Sequence, residues 1–142
     1  MLRWPRRLVA GRVAPVPRLT LVGDEIWFED GRGGSNRLNY ADLAAVVIET
    51  NDSGPWLDDV IWHLLGRNEG HCLSIPQSVE GFPELLTRLQ ALAGFDNREV
   101  VAAMGSASLN AFLCWEADGR GRPDSAVLGF ARMRRQGDPP RG

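Results

Sequence analysis

Few side chains in this sequence can ligate a soft metal or act as a base near neutral pH. They are two histidines, His63 and His71, and two cysteines, Cys72 and Cys114. Zinc takes four nitrogen or sulfur ligands in a tetrahedron, usually spaced C-x₂₋₄-C or H-x₃₋₅-H. Neither spacing occurs, so no metal site is expected. A hydrolytic triad needs a nucleophile, an imidazole and a carboxylate in line. Ser74, His63 and Asp59 could meet on adjacent strands, and a pocket near His63 and Asp59 is what a small enzyme would require. No G-x-S-x-G elbow supports them, and a chain of this length offers many such triples. No catalytic residue is assigned, no cofactor is implied, and the sequence leans away from an enzyme.

Two loops hold further chemistry. Glu49, Asp52, Asp58 and Asp59 surround Gly54-Pro55 and gather oxygens of the kind a hard cation prefers. Their spacing matches no EF-hand loop, so a solvated turn is the simpler account. Gly31-Arg32-Gly33-Gly34-Ser35 has the composition of a phosphate cradle, which requires a helix N-terminus directly behind it. A polar strand follows instead, and a hairpin loop is expected. The binding candidates are Trp27, Trp56, Asp58 and Asp59. Trp27 points away from Ile26 and Phe28, and Trp56 enters a strand beside two acids, where an amphipathic ring can anchor a partner. Ordinary packing competes for both rings. Trp62 is expected in the core and His63 as a hydrogen-bonded strand residue.

These side chains must be positioned by short strands. Leu19 to Val22, Glu25 to Glu29 and Asn36 to Tyr40 alternate in polarity around turn residues and read as a meander. Leu43 to Ile48 is apolar throughout, which predicts a strand covered on both faces. Trp56 to Leu65 and His71 to Ile75 continue the pattern to a sixth strand. The period then changes to that of a helix at Phe82, Leu85, Leu86, Leu89 and Leu92, with Gly94 placed to end it. Asp96-Asn97-Arg98-Glu99 has capping-box spacing and opens a second helix bearing Val100, Val101 and Met104. Residues 106–116 fit either a strand or a helix. Val127, Phe130 and Met133 suggest a last helix between Ser125 and Arg135. The expected fold is α+β: a bent antiparallel sheet or partial barrel of six to seven strands followed by two or three C-terminal helices.

The chain has 142 residues, enough for one domain with a real core. A flexible basic leader is expected over residues 1–16, a single domain over 17–116, and an Arg/Gly-rich extension with a short helix over 117–142. No apolar run approaches the roughly 20 residues of a membrane span, and no signal peptide is recognised. Two buried free thiols would suit a reducing cytoplasm. Charge is segregated. Residues 1–18 carry five Arg and no acid, residues 19–118 sixteen acids against five Arg, and residues 119–142 six Arg against two acids. An acidic body argues against nucleic acid as its partner.

The run from Tyr40 to Met104 contains Tyr40-Ala41-Asp42-Leu43, Val47-Ile48-Glu49-Thr50, Asp59-Val60-Ile61-Trp62-His63-Leu64, Cys72-Leu73-Ser74-Ile75-Pro76, Leu85-Leu86-Thr87-Arg88-Leu89-Gln90 and Gly94-Phe95-Asp96-Asn97. Together these resemble a group of small uncharacterised bacterial proteins whose strand-rich half is similar to pleckstrin-homology-like domains, a bent sheet capped by a helix. The resemblance covers a little under half the chain and implies a fold, not a catalytic residue. It does not imply lipid headgroup binding, because the early loops hold Arg32 and Arg37 against Asp24, Glu25, Glu29 and Asp30. The leading expectation is a protein- or peptide-binding module that is not an enzyme. The rivals are an acidic, immunity-type inhibitor of a basic toxin and a small enzyme. A homodimer is left open.

Overall fold

The structure is a computed structural model that describes residues 16–51, 60–68, 72–117 and 126–137. Trp56, Asp58 and Asp59, together with Asp52, His71 and almost all of the expected leader, lie outside the described residues.

Strands β1 (Arg18–Val22), β2 (Glu25–Glu29) and β3 (Ser35–Asn39) form an antiparallel meander in that order. Each is short and alternates, so Leu19, Ile26, Phe28 and Leu38 are buried on one face while the other is polar apart from Val22 and Trp27. The β2–β3 loop is held by Asp30. Its Oδ1 accepts from the backbone N–H of Arg32 at 2.7 Å and of Gly34 at 3.0 Å. Gly31 and Gly33 supply the left-handed φ values of 82° and 94° that this tight loop needs. The amides that would cradle a phosphate are thus already spent on an internal carboxylate.

After a 3₁₀ turn at Tyr40–Asp42, capped by Asn39, the chain enters a four-stranded antiparallel sheet. It contains β4 (Leu43–Thr50), β5 (Val60–Gly66), β6 (Cys72–Pro76) and β7 (Asn110–Glu116), in the order β6-β5-β4-β7. β4 is an inner strand covered on both faces, which is why its sequence does not alternate. Val46 and Ile48 face inward with Trp62, Leu64 and Ile75, and join the first sheet in one core with Phe82, Leu85 and Leu89 of helix α1 (Phe82–Gln90). Trp62 is fully buried; its ring lies 5.1 Å from that of Phe82 and its Nε1 donates to Gln77 Oε1 at 2.8 Å. Ala45, Val47, Leu65, Ala111 and Leu113 face the other way, under Leu128 and Ala131 of helix α3 (Ala126–Gly137).

The undecided stretch 106–116 is therefore a strand from Asn110. It follows α1 and α2 (Asn97–Met104) in sequence and pairs with β4, so the helices do not all come after the sheet. A bulge sets its register. Val46 pairs with Trp115 but Val47 pairs with Leu113, leaving Cys114 as the extra residue. The bulge turns both Cys114 and Trp115 toward the inner core. It also frees the Cys114 carbonyl to accept from Asp96 N–H at 2.8 Å, while Trp115 Nε1 donates to the Ala93 carbonyl at 2.9 Å. Asp96 caps α2 as expected, its side chain accepting from Arg98 N–H.

The faces of the two later helices differ from the expected ones. In α2 Val100 does pack against the inner core, but the buried residue is Ala103, and Val101 and Met104 are exposed. In α3, among the described side chains, Leu128 and Ala131 are buried and Phe130 and Met133 are exposed; that of Val127 lies outside them. Alanines, which hydrophobic patterning discounts, take part in both contacts, and short stretches carry too few apolar positions for periodicity to choose among them.

Candidate functional site

Trp27 lies at the middle of β2, the middle strand of the first sheet. Ile26 and Phe28 are drawn into the core, so the pleat sends Trp27 outward, where it stays 39% exposed. Cross-strand register places Thr20 of β1 and Arg37 of β3 opposite it. The Arg37 guanidinium lies 4.8 Å from the indole centroid, a cation–π contact. The Trp27 Nε1 donates to Glu25 Oε1 at 3.0 Å. Around the ring is a groove of about 650 Å³, lined among others by Glu25, Glu29, Arg37, Asn39 and Asp42. Its lining thus holds three carboxylates and one guanidinium. The carboxylates of Glu29 and Asp42 have no hydrogen-bond or ion-pair partner among the described residues. Next to this groove, and sharing Glu29 and Ser35 with it, lies a second depression lined by Val16, Arg18 and the glycines of the β2–β3 loop.

A second cluster lies on the outward face of the four-stranded sheet. His63 Nε2 is 2.7 Å from Glu49 Oε1, and His63 Nδ1 is 2.9 Å from Ser74 Oγ. Three neighbouring strands supply these groups, with Ser74 in register with His63 and Glu49 two residues beyond His63's partner Val47 on β4. An ionised Glu49 only accepts, so Nε2 carries a proton. In the neutral imidazole Nδ1 is then the acceptor, and the Ser74 hydroxyl donates to it. This is the hydrogen-bond order of a serine nucleophile and its base. Cys72 stands beside Ser74, its Sγ 3.8 Å from Ser74 Oγ. Burial pushes its thiol pKa up, against a smaller opposing effect of the Ser74 hydrogen bond, so Cys72 stays a neutral thiol at neutral pH.

Ser74 and His63 of the expected triple do come together, with Glu49 as their carboxylate; Asp59 lies outside the described residues. Trp27 does not join them. It occupies the outward face of the first sheet and His63 that of the second, with the shared core between. Glu49 was grouped in the sequence with the turn acids; strand alternation puts it on the face of Val47, but only the β4–β5 register puts that face beside His63. The flanking roles of Glu25 and Arg37 required the hairpin register, which composition does not state.

Among the described residues no three His, Cys, Asp or Glu side chains gather to hold a metal ion, and both cysteines are free thiols. Among the described residues no helix is long and apolar enough to cross a membrane. Compared with protein-family models, curated proteins and solved structures, the chain matches none of them.

Proposed function

We propose that this protein is a protein- or peptide-binding module whose contact surface is the outward face of the β1–β3 sheet. One observation carries the reading: Trp27 is held out at the centre of a groove by the strand pleat, between Glu25 and Arg37, with no described element over it. A large amphipathic ring in a pre-formed, partly polar groove is the arrangement that anchors partners at interface centres. The two free thiols support a cytoplasmic setting. The pleckstrin-homology-like kinship belongs to the same proposal; seven strands with α1 packed on the inner core support it. Two helices ahead of the last strand set this chain apart from a sheet with one capping helix.

The test is selection of a displayed random peptide library on the intact protein and on its Trp27→Ala variant. Enrichment of sequences that bind the first and not the second is expected. Binders indifferent to Trp27, or no binders, would sink the proposal.

A second reading, a small enzyme, is favoured by the Ser74–His63–Glu49 hydrogen bonds. A fluorophosphonate probe decides it. Labelling at Ser74 that falls in a His63→Gln variant would move the protein among the serine hydrolases. An unlabelled protein would leave the cluster as a structural cross-strand link.

A further inference from the structure

Resting on that reading of the Trp27 face, we infer that its ligand is an extended peptide segment with two basic side chains four residues apart and an apolar side chain midway between them. The spacing comes from the groove. Glu25 and Glu29 lie four residues apart on β2 with Trp27 halfway, so they face the same way about 13 Å apart. Asn39 pairs with Glu25, and Asp42 follows it through the 3₁₀ turn, which puts Asp42 at the Glu25 end. The Glu25 carboxylate is held by the Trp27 N–H, whereas among the described residues the carboxylates of Glu29 and Asp42 have no partner. Each end of the groove therefore offers one free carboxylate, and the ring sits in the middle.

An extended chain laid over the groove has the same repeat as the strand beneath it. Its residues i, i+2 and i+4 point down together, and the interval from i to i+4 is the same ~13 Å. A cation at each end and an apolar group over Trp27 would match the floor. The lining's guanidinium, Arg37, already covers one face of the indole, and although Arg18 lies in register with Glu29, neither Glu29 nor Asp42 has an ion-pair partner among the described residues. An anionic ligand would face three carboxylates, and the nearby loop amides that could bind it are held by Asp30. The net charge of the lining thus selects a cationic partner, and the strand geometry selects its spacing.

The experiment uses a labelled synthetic peptide, Gly-Arg-Gly-Leu-Gly-Arg-Gly, titrated into the full chain at low ionic strength with fluorescence anisotropy as readout. Two controls accompany it, one with the arginines replaced by glutamate and one with the arginines three residues apart. The glutamate peptide should not bind, and the respaced peptide should bind more weakly than the first. Glu29→Gln and Asp42→Asn should each weaken binding about two- to fivefold, the range for exposed charge pairs. The salt dependence should flatten in the double variant. Affinity unchanged by E29Q and D42N, or equal for the two arginine spacings, would overturn the inference. Tighter binding by an R3Q/R7Q variant would support the same recognition rule, because the chain's own Arg3-x-Pro5-x-Arg7 has that spacing and would then be competing for the groove. Failure here is separable from failure of the broader reading. Library peptides that require Trp27 but lack a basic pair would defeat this inference alone, whereas no Trp27-dependent peptide would defeat both.

Discussion

At the scale of single residues, two side chains of the first sheet show how local rules place polar groups. Trp27 is exposed because its neighbours are not: the pleat allows Ile26 and Phe28 into the core only by turning Trp27 out. Asp30 works in the opposite direction, folding its carboxylate back onto its own loop. The backbone N–H of Arg32, then that of Gly34, hold its carboxyl below the ordinary value of 3.8. A depressed folded-state pKa means stability that is present above the unfolded pKa and lost as the pH falls through the folded value. In chemical denaturation, Asp30→Asn should therefore unfold at a lower midpoint than the wild type at about pH 6, and the gap should shrink as the pH falls below the ordinary carboxyl value of 3.8. A gap independent of pH would show that the loop depends on shape and not on charge. Gly34 is tied to the same arrangement, because a Cβ there would lie 2.5 Å from Asp30 Oδ2 and displace the carboxylate.

At the scale of elements, β4 organises the molecule. Strand β5 pairs on one side of it and β7 on the other, the inner core covers one face, and α3 covers the second. Among the described side chains, α3 packs through Leu128 and Ala131 on Ala45, Val47, Ala111 and Leu113, and its Arg132 pairs with Glu116 of β7. Leu128 is 1% exposed, so Leu128→Ala should cost about 2–5 kcal/mol through lost transfer energy and the cavity left behind. Equilibrium denaturation measures that loss. Met133→Ala, at an exposed position of the same helix, should stay within about 0.5 kcal/mol. Equal effects of the two would mean that the helix packs through the face the sequence periodicity suggested. The β7 bulge is the other device at this scale. One extra residue gives the α1–α2 connection a carbonyl for Asp96 and an indole for Ala93.

At the scale of the whole molecule, the shared core separates the two clusters that carry chemistry. The Trp27 groove faces out from one sheet and the His63 cluster from the other. A ligand at one does not touch the other, and this keeps the binding test and the hydrolase test independent. Much of this layout was legible beforehand. The six strands ahead of the first helix, the doubly covered β4, the core position of Trp62, the Asp96 cap and the hairpin at Gly31–Ser35 all follow from period, turn chemistry and capping. Those are short-range properties, set by residues a few positions apart. The amphipathic faces of α2 and α3 were less legible, because each short helix packs through a small residue such as Ala103 or Ala131 that hydrophobic patterning discounts.

The sequence by itself determined that this is an α+β protein, that β4 is buried on both faces, and that Trp27 opposes the core-facing residues of its strand. Local sterics and the alternation of side chains decide these without reference to distant partners. Tertiary structure alone decided that residues 110–116 add a strand beside β4, that Glu49 completes a chain of hydrogen bonds with His63 and Ser74, and that carboxylates from β2 and the 3₁₀ turn share one groove. Each of those depends on register between segments far apart in the chain, and register is fixed only when the strands pair.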